Sequence, residues 1–131
     1  MKYLKKFNNI RFEVVEENNQ TKIYIYDGDV VGYSLVTIKD NIFDNWNLHD
    51  DLEVEPIKNT KSLYIIGISI DKNNKRTGYG SNLINYIEEF AKEKKCEYIT
   101  LSSITDALGF WKKLGYKVYS MGGYYSMYKK L

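Results

Sequence analysis

Residues 72–84, KNNKRTGYGSNLI, place three basic side chains, Lys72, Lys75 and Arg76, just ahead of two glycines, Gly78 and Gly80. An apolar helical pattern begins directly after them. Glycines let a backbone take positive φ and approach a ligand closely. The first N–H groups of a helix lack partners, and the helix dipole adds positive potential there. Such a stretch suits an anionic ligand, a pyrophosphate above all. Read by itself it is equally a solvated, glycine-rich helix start. Two phosphate motifs are excluded. No G-x-x-x-x-G-K-[ST] string exists in the chain, and a G-x-G-x-x-G fingerprint would need glycine where Leu83 stands.

Other reactive side chains are sparse. Cys96 is the only cysteine and His49 the only histidine, so one chain cannot build a His/Cys metal cage and no metal site is expected. Cys96 reads as a small buried apolar residue without a disulfide partner, which suits a reducing, cytoplasmic compartment. His49 reads as an exposed loop histidine. Between residues 40 and 55 stand Asp40, Asp44, Asp50, Asp51, Glu53 and Glu55, with no Lys or Arg among them. That segment would draw in a cationic partner, or else serve as an acidic solubilising loop.

The elements that position these residues follow from periodicity. Residues 10–16 (IRFEVVE) and 22–27 (KIYIYD) alternate apolar and polar, and an Asp27-Gly28-Asp29 turn leads into VVGYSLVTI at 30–38. This predicts a three-stranded antiparallel meander. Residues 39–61 have little periodicity and hold the only proline, Pro56, so they read as a long loop. LYIIGISI at 63–70 is a nearly continuous apolar run, a central strand buried on both faces, with Gly67 marking a bulge or a close approach. A helix is predicted over about 81–95, burying Leu83, Ile84, Ile87, Phe90 and Ala91, with Glu88 and Lys92 as an outward ion pair. Strand 98–103 follows, then a short helix at about 105–114 capped by Ser103 or Thr105 and stopped by Gly115. YKVYSM, Gly122-Gly123 and YYSMYKKL form a closing hairpin. The strand-helix-strand unit should be a parallel crossover within an otherwise antiparallel sheet.

Composition bounds the rest. The chain has 131 residues, one domain's worth, so residues 1–131 read as a single domain. With 44% hydrophobic residues it can bury a core, and a net charge of +2 gives no signal for bulk nucleic-acid binding. No apolar run reaches the ~20 residues needed to span a bilayer. MKYLKKFNNIRF has no apolar h-region and does not read as a secretory leader. Thirteen tyrosines suit pleated surfaces.

Three features together carry a resemblance. Lys75-Arg76-Thr77-Gly78-Tyr79-Gly80 resembles the [QR]-x-x-G-x-[GA] loop of the GNAT superfamily of N-acetyltransferases. Residues 107–116, ALGFWKKLGY, resemble its later A-x-x-F-[YW]-x-K-x-G-[FY] signature, and VVGYSLV at 30–36 resembles its hairpin strand. The element order agrees from about residue 22 onward. The resemblance implies an α/β (α+β) fold: a mixed, mostly antiparallel sheet with splayed central parallel strands, here with a shortened N-terminal part. It implies acetyl-CoA as cosubstrate. The backbone of Ile68, Ser69 and Ile70 would line the pantetheine arm, with the Ile68 N–H toward the thioester carbonyl. Lys75, Arg76, Thr77, Gly78, Tyr79, Gly80 and Ser81 would hold the pyrophosphate, and Phe110 and Lys113 would flank the rest of CoA.

The implied activity is acetyl transfer to a primary amine by direct attack in a ternary complex, driven by proximity, an oxyanion-stabilising N–H and proton transfer. The acceptor reads as a cationic small molecule or protein. A non-catalytic acyl-CoA-binding sensor or interaction module of the same fold is the alternative, and a purely structural interaction domain the third. Three residues depart from the pattern: Lys75 replaces Arg or Gln, Ile104 replaces a frequent Asn, and Trp111 takes the place of a frequent general-acid tyrosine. Ser103 and Tyr116 are the candidates for the acid. Tyr64, Glu53, Glu55 and His49 are the candidates for the base. Either a monomer or a homodimer fits, with the C-terminal hairpin as a pairing edge.

Overall fold

The computed structural model describes residues 10–40, 61–71 and 78–131. The acidic segment beyond Asp40, with His49, Glu53 and Glu55, and the loop residues Lys72, Lys75, Arg76 and Thr77 lie outside the described residues.

Within the described residues the strand and helix blocks become their expected elements. Strands β1 (Ile10–Glu17), β2 (Gln20–Asp27) and β3 (Asp29–Asp40) form the antiparallel meander. Their turns use left-handed residues, Asn18 and Asn19 in one and Gly28 at φ 80° in the other. Such geometry matches the twist of a hairpin, and Asn and Gly tolerate it best. β4 spans Lys61–Ile70 and pairs antiparallel with β3. Lys39, Asp40 and Lys61 thus belong to strands rather than to the long loop expected there. Helix α1 runs Tyr79–Glu93, two residues earlier than its apolar period suggests. β5 (Tyr98–Ser103), a 3-10 turn (Thr105–Ala107), helix α2 (Leu108–Lys113) and the hairpin β6 (Lys117–Gly122) and β7 (Tyr124–Lys130) complete the order.

The seven strands form one sheet in the order β1-β2-β3-β4-β5-β7-β6, and only the β4–β5 pair is parallel. α1 packs on one face. Leu83, Ile84, Ile87 and Ala91 are fully buried there against Ile23, Ile25, Val36, Leu63, Ile99 and Met127. Both helices end in paired C-terminal bonds: Cys96 N–H to the Ala91 carbonyl at 2.9 Å, and Tyr116 N–H to the Trp111 carbonyl at 3.1 Å. In each the C′ residue is left-handed, Lys95 in one and the expected Gly115 in the other. Cys96 is buried, as its type suggested.

Three expectations are corrected. Glu88 does not pair outward with Lys92. It turns inward, accepting from Lys129 Nζ at 2.8 Å and from the Tyr116 hydroxyl at 3.2 Å, while Lys92 sits 3.4 Å from Glu89. Glu88 borders the apolar stripe, so partners on β7 and at the start of β6 satisfy it. Neither Ser103 nor Thr105 caps the short helix. Ile104 and Ala107 hold those positions, and the Ser103 hydroxyl donates to the Ile104 carbonyl at 2.8 Å. Finally, β4 is buried on both faces only in its first half, at Ser62 and Leu63.

Two predictions follow from packing. An added Cβ at Gly32 would lie 2.7 Å from the Ser69 carbonyl oxygen and 2.6 Å from Ile70 Cδ1. Gly32→Ala should therefore destabilise the protein by about 1–3 kcal/mol through overpacking, read as a lower midpoint in urea. Lys129→Met strands the Glu88 carboxylate with a single partner and should cost about 2–4 kcal/mol, checked by the same titration.

Candidate active site

The site begins with a break in the sheet. β4 and β5 pair from Ser62↔Tyr98 to Ile65↔Leu101 and no further. Beyond that rung β4 continues to Ile70 and β5 to Ser103. The cause is a bulge: Val36 of β3 faces Ile65, Leu35 faces Gly67, and Ile66 has no partner. An extra residue bends a strand and increases its local twist. It also shifts the side-chain phase, so that Ile68 and Ile70 rather than Gly67 face the α1 core. The buried Ser34 hydroxyl donates to the Gly67 carbonyl at 2.7 Å and pins the irregularity. The expected disturbance near Gly67 is therefore present. The glycine itself is not sterically required, since a Cβ there would meet nothing within 4 Å. The result is a wedge between Ile66–Ile70 and Ser102–Ser103 whose β4 wall is backbone.

The N-terminus of α1 sits beside the wide end of that wedge. Gly78 is its N-cap at φ 84°, and no described side chain caps it. Its first N–H groups are thus placed for an anion. Gly80 lies against Phe110 of α2: a Cβ there would come 3.5 Å from Phe110 Cζ and 3.9 Å from Ile70 Cγ1. Phe110 is exposed and stacks edge-on against Trp111 at 5.1 Å. Lys113 is exposed on the same helix. Tyr79 differs in kind. Its ring is buried and its hydroxyl donates to the Asp27 carboxylate, so only its backbone faces the site. That bond, with burial adding to it, pushes the Tyr79 pKa up to about 12.

The candidate proton-transfer residues separate in space. Ser103 is buried and its hydroxyl is turned to its own neighbour's carbonyl. Tyr116 is 2% exposed, bonded to Glu88, and burial first and Glu88 second hold its pKa well above the ordinary tyrosine range. Trp111 is buried edge-on against Tyr116 at 5.3 Å, an interior aromatic rather than a wedge residue. Tyr64 lies on the sheet face away from α1, and its hydroxyl is 3.3 Å from the Ser102 hydroxyl, across the point where β4 and β5 part. Strand alternation puts Tyr98, Thr100 and Ser102 on that face and Ile99, Leu101 and Ser103 on the other. Ser102 therefore stands one register step from the candidate Ser103 and on the opposite face; the alternation of YITLSS against the buried Ile99 and Leu101 is the signal for it. Among the described residues no group of three or more metal-ligating side chains occurs.

Comparison with known proteins bears on this geometry. A family model described as the acetyltransferase (GNAT) family matches residues 2–116. The chain belongs to the GNAT acetyltransferase family. A search of curated proteins finds no match. Solved structures share the GNAT fold. PaiA N-acetyltransferase from Thermoplasma acidophilum, in complex with coenzyme A, superposes with a TM-score of 0.65 at 16% identity, over 86% of this chain and 62% of that one. An IAA acetyltransferase from Bacillus cereus ATCC 14579 gives 0.62 at 14% identity, over 86% and 79%. A transcriptional regulator from Bacillus halodurans C-125 gives 0.62 at 25% identity, over 92% and 72%. This GNAT chain therefore spans less than two thirds of the PaiA structure's length. Among the described residues no helix is long and apolar enough to cross a membrane.

The Tyr79–Asp27 bond carries a pH signature. Its folded-state pKa of about 12 lies above the ordinary 10, so its stabilisation is full below pH 10 and is lost as pH rises toward 12. Tyr79→Phe should lower stability by about 1–2 kcal/mol at pH 8. The gap between variant and wild type should close across that alkaline window, measured by thermal melts from pH 8 to 12.

Proposed function

We propose that this GNAT domain is an acetyl-CoA-dependent N-acetyltransferase acting on the primary amine of a cationic small molecule or protein. The observation that carries the reading is the wedge: a strand wall that past Ile65 has no β5 partner among the described residues and leads to a helix start at Gly78 that no described side chain caps. The fit to CoA is chemical. An extended pantetheine arm has two amides that can pair with the β4 backbone as an added strand would. Ile68, Ser69 and Ile70 supply that wall, with the Ile68 N–H as oxyanion donor. Gly78, Tyr79, Gly80 and Ser81 offer helix-start N–H groups to the pyrophosphate, with Lys75, Arg76 and Thr77 preceding them. Phe110 and Lys113 flank the remainder. The PaiA relative, which holds coenzyme A, supports the assignment.

Bound acetyl-CoA supplies an activated acyl group. The chain's own contribution is to hold the amine and the thioester together, to stabilise charge on the carbonyl oxygen and to move protons. The acidic run from Asp40 to Glu55 supports a cationic acceptor. For proton transfer, Tyr64 is the candidate best placed among the described residues, with Glu55 the candidate to act through water. Ser103 and Tyr116 rank below it because their hydroxyls are engaged in the interior.

A second reading, a domain that binds acyl-CoA without turnover, is favoured by Trp111. A buried indole replaces a proton-donating tyrosine there, and no indole gives up a proton at neutral pH.

Calorimetry with acetyl-CoA tests the cofactor, and thiol release with a panel of amines tests turnover. Saturable binding with amine-dependent thiol release is expected. Binding without release supports the second reading, and no binding overturns both. Gly80→Glu sets a carboxylate where the helix start would meet the pyrophosphate, so acetyl-CoA affinity should fall about tenfold or more, whereas Gly80→Ala, whose Cβ has ordinary contacts and which the [GA] position of the loop pattern accepts, should keep it.

A further inference from the structure

We infer that Ser102 and Tyr64 form a hydroxyl relay that removes the acceptor's proton, an inference that rests on the acetyltransferase reading above. Three observations converge on the pair. First, it sits at the apex of the wedge. The last paired rung is Ile65↔Leu101, and the Tyr64–Ser102 contact of 3.3 Å spans the strands just where they part. Second, it lies on the face that an acceptor must use. α1 and the Phe110–Gly80 contact occupy the other side, so an amine meeting a thioester held in the wedge approaches from the Tyr64 side. Third, Ser102 is exposed and Tyr64 half-buried, so one hydroxyl meets an incoming amine while the other leads away from it.

The surroundings reinforce the assignment. On the same face Ser126, the cross-strand partner of Ser102, is hydrogen-bonded to Tyr119. Thr100, which faces Tyr64 across the ladder, has a buried hydroxyl with no partner among the described residues. That face thus carries the hydroxyls of Tyr64, Thr100, Ser102 and Ser126 on neighbouring strands.

The step balances without a charged base. The amine nitrogen forms a bond to the acyl carbon, and the carbon–sulfur bond breaks with its electron pair on sulfur. As the nitrogen becomes positive, its proton passes to Ser102 Oγ, the Ser102 proton passes to Tyr64 Oη, and the Tyr64 proton passes to solvent water. The thiolate takes up a proton from solvent. Neither hydroxyl carries a lasting charge; the relay serves only the amine's proton, and with Trp111 in place of the acid the thiolate is protonated by solvent.

Steady-state kinetics of Ser102→Ala, Ser102→Thr and Tyr64→Phe test the relay in the full chain, with acetyl-CoA and an amine that the wild type acetylates. Ser102→Ala and Tyr64→Phe should each lower kcat about tenfold or more, at or below the lower end of positioned acid–base catalysis because water replaces part of the path. KM for acetyl-CoA and the melting temperature should stay at wild-type values. The double variant should be no slower than either single one, as expected for one chain of transfer. Ser102→Thr should restore most of the rate, and the solvent deuterium isotope effect on kcat/KM should shrink in the alanine variant. Wild-type kcat in both single variants overturns the relay. So does a raised KM and a lowered melting temperature with kcat unchanged, which would make the bond a strut across the splay. A wild type that acetylates no amine removes the acetyltransferase reading and the relay with it.

Discussion

One residue too many on β4 governs this molecule. A parallel pair of strands joined by a helical crossover would ordinarily stay hydrogen-bonded along its length. Here Ile66 has no partner on β3, the strand turns, and the β4–β5 ladder ends at Ile65↔Leu101. Backbone groups that a sheet would consume internally are left facing a gap. They call for another partner, and an extended ligand with amide groups is a natural one. The Ser34 hydroxyl on the Gly67 carbonyl shows that the bulge is held rather than incidental.

The gap is useful only if the helix that follows starts in the right place. Three contacts fix it. The Tyr79 hydroxyl ties the first turn of α1 to Asp27 at the β2–β3 turn. Gly32 lets β3 approach Ser69 and Ile70 closely enough to exclude any side chain. Phe110 closes α2 onto Gly80. At the far end Lys129 donates to both Glu88 and the Leu114 carbonyl at 2.8 Å, tying α1, β7 and the end of α2 together. Charge buried in this way is tolerable because each group has its partner.

The two faces of the sheet have divided the labour. One face is apolar and carries α1, with Trp111 and Tyr116 built into its edge. The other collects hydroxyls from neighbouring strands, with Tyr64 and Ser102 meeting across the split. The substitution of tryptophan for a proton-donating tyrosine is thus accommodated by packing on one side, while the polar chemistry gathers on the other.

Much of this was legible in the sequence. Period-two alternation, the Asp27-Gly28 and Gly122-Gly123 turns and the apolar stripe of α1 determined the element order, because each is a local preference acting over a few residues. Gly78, Gly80 and the Phe110–Gly115 block determined the family for the same reason: a close backbone approach and a helix stop depend on residue type alone. What only the tertiary structure decided was pairing. Glu88 reads as outward until Lys129 and Tyr116, distant in the chain, arrive beside it. Ser103 reads as a cap until strand phase turns it inward, and the same phase brings Ser102 to Tyr64. A one-residue change of phase inverts the face of every side chain that follows, and that phase is set by the partners across a sheet rather than by any neighbour in the chain.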